Sequence, residues 1–187
     1  MPITELQKQL LKAINNNDAN AVQQLLTENE PILNLPRDTD ERIALYISAF
    51  EGHTSSVRSL VLNRPRDTDK QITLYIAVLK GHTDIVKLLL EQGASLYKKN
   101  KYGNTTLHIA VRKGHFDVVK LLIKHDASVD EKDKDGFTAL HWAASNNNCD
   151  IVKLLFEQGA SLDEKDKEGW TALHFAASVG FSNIVKL

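Results

Sequence analysis

Apolar positions along the chain alternate between narrow and broad helical faces. Leu107, Ala110 and Val111 fall at i, i+3 and i+4, one face of a helix. Gly114 follows where a left-handed C-terminal cap belongs. Val118, Val119, Leu121, Leu122 and Ile123 then give a second helix a broad apolar face. The pair recurs downstream. Gly103, Gly136 and Gly169 are 33 residues apart, as are His108, His141 and His174. Ala110, Ala143 and Ala176 follow each histidine by two places, and Ile151-Val152 and Ile184-Val185 repeat the start of the second apolar run. Upstream units are spelled more loosely, and the anchor leucines are 10, 45, 74, 107, 140 and 173, with steps of 35, 29, 33, 33 and 33.

Small residues at Ala110, Ala143, Ala144, Ala176 and Ala177 let neighbouring first helices approach closely. A single helix pair cannot bury its apolar stripes alone, so the pairs are expected to stack. Polar fingers such as Asp130–Asp135 and Asp163–Glu168 connect them. Gly93 and Gly159 end second helices, and Asp126 stands where the fourth unit should have that glycine.

The Gly-x-Thr-x-Leu-His-x-Ala pattern at a 33-residue step resembles the ankyrin repeat family. The motif proline is absent, with Ala44, Thr73, Thr106, Ala139 and Ala172 in its place. The resemblance implies an all-α repeat solenoid of stacked helix-turn-helix units with β-hairpin fingers. It divides residues 1–187 into one array: an N-terminal cap over about 1–34, then 35–65, 66–99, 100–132, 133–165 and a truncated 166–187. Polar Gln7, Lys8, Lys12, Gln23 and Gln24 suit the cap. The sixth unit stops inside its second helix, at Ile184-Val185-Lys186-Leu187, which reads as a truncated chain, with structural drift of a last repeat as the alternative.

The second and third units are irregular. Asn34-Leu-Pro36-Arg-Asp-Thr-Asp40 recurs as Asn63-Arg-Pro65-Arg-Asp-Thr-Asp69. Val61 to Leu74 spans 13 residues where Leu90 to Leu107 spans 17, so a shortened finger is expected between repeats two and three. Glu41 and Lys70 replace the hairpin glycine.

Charge narrows the function. Lys plus Arg is 23 against 24 Asp plus Glu, a net charge of −1, without the basic excess that nucleic acid or an anionic membrane surface requires. No apolar run approaches the roughly 20 residues of a membrane span, and the first residues carry neither a basic nor an apolar signal region. One cysteine, Cys149, excludes an internal disulfide and suits a reducing, cytoplasmic compartment. Lysine outnumbers arginine 17 to 6 and asparagine runs at 15–17 and 146–148. That looks like an AT-rich genome, and ankyrin arrays from such genomes often resemble effectors that intracellular bacteria deliver into the host-cell cytosol.

Candidate chemistry is thin. His108, His141 and His174 form one repeated set; His53, His82 and His115 form another. In the family the first set hydrogen-bonds the hairpin and the motif threonine, here Thr105, Thr138 and Thr171, which is a packing role. Tyr46 and Tyr75 hold the same position in units two and three, where a metal site would need histidine. No metal site, cofactor or catalytic residue is therefore expected. Cys149 opens a second helix, as Phe116 does, but no base is positioned beside it.

The resemblance puts partner contacts on finger tips and the exposed side of first helices. Carried over by position, these are Lys101, Tyr102, Asn104, Arg112 and Lys113; Lys134, Asp135, Phe137, Ser145 and Asn146; and Lys167, Glu168, Trp170 and Ser178. Phe137 and Trp170 could equally brace the finger base. Lys98, Lys99, Lys101, Arg112 and Lys113 form a basic island suited to an acidic peptide. The reading is a monomeric, non-catalytic scaffold for a protein or peptide, with no nucleic acid and no membrane insertion. The alternatives are a targeting module of a larger enzyme or effector, and a plain spacer.

Overall fold

The computed structural model describes residues 45–62 and 67–186. Helix α1 covers 45–51. It is followed by α2 (Thr54–Leu62), α3 (Asp67–Lys80), α4 (Thr83–Glu91), α5 (Thr106–Lys113), α6 (Phe116–Lys124), α7 (Ala139–Ser145), α8 (Cys149–Glu157), α9 (Ala172–Val179) and α10 (Ser182–Val185). The expected first unit, the Asn34–Asp40 segment, Glu41, Ala44 and Pro65 lie outside the described residues.

The helices form two layers. First helices α3, α5, α7 and α9 pack each on the next, and second helices α2, α4, α6, α8 and α10 do the same. Each first helix also packs on its own second helix, so the units stack in one direction as an α-solenoid. The periodicity explains the core: Leu74, Leu107 and Leu140 are buried from one layer, Leu89, Leu122 and Leu155 from the other. Full burial of such a side chain is worth about 1.5–3 kcal/mol. Ala110, Ala143 and Ala176 are fully buried at the first-helix contacts, and Ala144 is buried too; Ala177, on the last unit, is exposed.

Helix ends follow the expected chemistry. Thr105 and Thr138 cap α5 and α7, each accepting from the N–H of the histidine three residues on. Gly114 caps α5 with φ 72°. Asp126 takes the left-handed conformation at φ 65°, and so does Asn147 at φ 57°, one repeat after Gly114.

Two expectations are corrected. The fingers are not β-hairpins: no strand occurs among the described residues. Each is a five-residue turn closed on itself, Asn100 N–H to Asn104 O at 3.0 Å, Asp133 N–H to Phe137 O at 2.9 Å and Asp166 N–H to Trp170 O at 2.9 Å. Two pairings per turn are too few for a ladder. The shortened finger is not a finger either. The stretch from Asp67 belongs to α3, six residues ahead of the usual start at the Thr73 position, and Lys70 lies within the helix rather than in a turn. Asp67 and Asp69 in the first turn favour that start through the helix dipole. Asp69 is buried and accepts from Tyr46 Oη–H at 2.7 Å, while its carbonyl accepts from Thr73 Oγ1–H at 2.6 Å.

Candidate functional site: the finger and first-helix ridge

The fingers are pinned from within and from the side. Asn100 Oδ1 accepts from the N–H groups of Tyr102 and Asn104 at 2.9 and 3.0 Å. Asp133 Oδ1 accepts from Asp135 and Phe137, and Asp166 Oδ1 from Glu168 and Trp170. These three residues, one repeat apart, hold each tip with the side-chain turn that Asn and Asp favour. Their 33-residue step is visible in the sequence, yet it was overshadowed by the glycines. Adjacent fingers are then joined by Lys134 N–H to Tyr102 O at 2.9 Å and Lys167 N–H to Asp135 O at 3.1 Å. A Cβ on Gly136 would stand 2.9 Å from the Asp166 Cα, and its φ of 86° is one that glycine alone adopts cheaply.

The histidines finish the frame. His108 Nδ1 accepts from the Thr105 N–H at 3.1 Å, so the ring proton sits on Nε2, which donates to Phe137 O of the next finger at 3.1 Å. His141 does the same with Thr138 and Trp170 O. Burial holds the His108 pKa below the ordinary range, against smaller opposing effects from Phe137 and Asp133. His174 keeps its Thr171 contact and is exposed. In the second set, His82 and His115 donate to Phe50 O and Leu79 O of the unit before, and Asn148 takes that role with Val111 O. With both ring nitrogens of His108 and His141 engaged, these side chains serve packing. Among the described residues no three His, Cys, Asp or Glu converge as metal ligands. The Cys149 thiol lies 3.8 Å from Asn147 Oδ1.

Lysines tie fingers on the outside. Lys99 meets Glu131 at 2.6 Å and donates to Lys132 O at 2.9 Å; Lys132 meets Glu164 at 2.7 Å and donates to Lys165 O at 2.8 Å. The Lys132 ammonium beside Glu164 holds that carboxyl below its usual range. Lys99 therefore belongs to a ladder between fingers rather than to a free basic island.

Most of the residues carried over from the sequence reach the surface. Lys101, Tyr102, Arg112, Lys113, Lys134, Asp135, Lys167, Glu168 and Trp170 are exposed. The Arg112 guanidinium sits 4.4 Å above the Trp142 ring, and Asn146 Nδ2–H donates to Arg112 O. Ser145 and Ser178 turn back onto the carbonyls of Trp142 and Phe175. Phe137 is half-buried and packs on His141, Trp142 and Phe175, so it braces the finger base. Trp170 packs on Phe175 while remaining 41% exposed. Asn104 departs from the expectation: it is 4% exposed and lines a cleft instead of the ridge. Trp142 and Phe175 were missed, because both sit inside the motif, immediately after its histidine.

Among the described residues no helix is long and apolar enough to cross a membrane. A family model described as ankyrin repeats (3 copies) matches residues 10–100, 52–133, 74–166 and 129–187. Such repeats are generally protein–protein interaction modules and typically non-catalytic. A search of curated proteins finds no match. With matches covering nearly the whole sequence, and with paired helices stacked between pinned turns, the chain belongs to the ankyrin repeat family.

Proposed function

We propose that this array is a non-catalytic scaffold that holds a protein or extended peptide along the ridge of finger tips and first helices. The carrying observation is that the backbone of each tip is fixed by its own Asn or Asp and by the neighbouring finger. The side chains of Lys101, Tyr102, Arg112, Lys134, Asp135 and Trp170 nevertheless stay exposed. A ridge ordered in advance loses little freedom on binding. Exposed Tyr102 and Trp170, and Arg112, are of the types that anchor interfaces.

The test is affinity capture by the full chain against the triple variant Arg112→Ala, Lys113→Ala, Trp170→Ala. The expected result is loss of the captured partner with an unchanged helical circular dichroism spectrum. Capture unchanged by the triple variant would contradict this assignment and favour a plain spacer.

A further inference from the structure

Where the extended helix α3 meets the finger of the next unit, the two shapes do not match. Fingers further along pair with fingers, but here a helix stands in the finger's place. A cleft of about 430 Å³ lies at the junction, lined by Gln71, Tyr75, Asn104 and Thr106, with Lys98 and Lys101 among its walls. Three buried polar atoms in it have no hydrogen-bond partner: Tyr75 Oη, Asn104 Oδ1 and Thr106 Oγ1. Asn104 and Thr106 are 4% and 3% exposed.

These positions are handled differently elsewhere. Tyr46, the equivalent of Tyr75, donates to Asp69, and His108 and His141 donate to finger carbonyls. The equivalents of Thr106 are alanines 139 and 172, and Thr73, which donates to the Asp69 carbonyl. The equivalents of Asn104 are Gln71, Phe137 and Trp170. The junction before it carries the same polar set, Tyr46, Gln71 and Thr73, but there Asp69 serves both hydroxyls; no residue does so for Tyr75 of the third unit and Thr106 of the fourth. Asn100 runs alongside Tyr75; its Oδ1 is taken by two backbone N–H groups, so what it turns to Tyr75 is its amide N–H, a donor that leaves the Tyr75 hydroxyl proton without an acceptor. Buried polar groups are normally paired, so three together mark a place that another molecule completes.

We propose that this cleft receives an acidic side chain of an extended peptide lying on the ridge, a reading that rests on the scaffold function above. Tyr75 and Thr106 donate O–H groups to the carboxylate, and Lys98 and Lys101 add positive charge at its edge. Asn104 Oδ1 accepts from a backbone N–H of the same peptide, which a free anion does not offer. Burial pushes the Tyr75 pKa up, which keeps its hydroxyl a donor at neutral pH.

The probe is a display library of random dodecapeptides, selected on the full 187-residue chain. The expected pool carries Asp or Glu at one fixed register position. Replacing that residue by its amide should weaken binding about tenfold or more, as loss of hydrogen bonds to a charged group does. The double variant Tyr75→Phe, Thr106→Val should weaken the parent peptide equally and leave the amide peptide unaffected. Its melting temperature without peptide should hold or rise, because it removes unpaired hydroxyls while keeping shape. A fall in melting temperature would show the hydroxyls to be structural and overturn the inference. Peptides that lose binding in the Arg112, Lys113, Trp170 variant but show no acidic position, or no response to the double variant, would overturn the cleft and leave the scaffold standing. A library that yields no binder would count against both.

Discussion

The His108 ring sits where two units meet and answers to both. Its Nδ1 takes the Thr105 N–H and its Nε2 gives to Phe137 O, an arrangement open only to the neutral ring. The folded pKa is lowered, chiefly by burial. The unfolded chain therefore binds the proton first as pH falls below about 6.5, and stability drops through that window towards the folded value. His108→Gln cannot titrate. In urea titrations, the stability advantage of the parent chain over His108→Gln should shrink between pH 7.5 and pH 5; a constant gap would remove His108 from the pH response. This role was legible in the sequence because the motif histidine recurs with its threonine. The exceptions, Tyr46 and Tyr75, show equally plainly as substitutions, but what each hydroxyl meets depends on a neighbouring unit whose shape their own positions do not encode.

At the scale of the element, glycine separates local strain from contact between fingers. Gly136 and Gly169 share a left-handed backbone, with φ of 86° and 83°, but a Cβ at Gly136 would press on Asp166 whereas one at Gly169 would meet nothing within 4 Å. Alanine at either carries the backbone penalty of about 1–3 kcal/mol, and Gly136→Ala adds the clash. Thermal unfolding should rank Gly136→Ala clearly below Gly169→Ala; equal losses would mean that finger stacking contributes little. Helices α4 to α9 were readable from the 33-residue step, since apolar faces and their glycine caps coincide there. The start of α3 was not. Four missing residues fit a shorter turn as well as a longer helix, and apolar spacing is silent before Ile72. The hairpins were what the family resemblance implies, and the charged residues of the fingers say nothing about how few backbone bonds close each turn.

Across the whole molecule, each unit covers the next, and the exposure of equivalent leucines records where covering occurs. Leu107 and Leu140 are 1% and 2% exposed, while Leu173 is 53% exposed. In such an array stability approximates a sum of unit and neighbour contributions. The ridge is a property of this scale, because it requires Lys101, Lys134 and Lys167 to be held in line by bonds between units. The exposure of most of its side chains was legible from position alone, Asn104, 4% exposed, being an exception. The most direct test of the ridge is amide chemical-shift mapping on the full, isotope-labelled chain with a selected dodecapeptide. The account predicts perturbations concentrated at residues 101–104, 112–113, 134–137 and 167–170. Perturbations clustered instead on the exposed face of the second helices, around Lys120, Lys153 and Phe156, would contradict it.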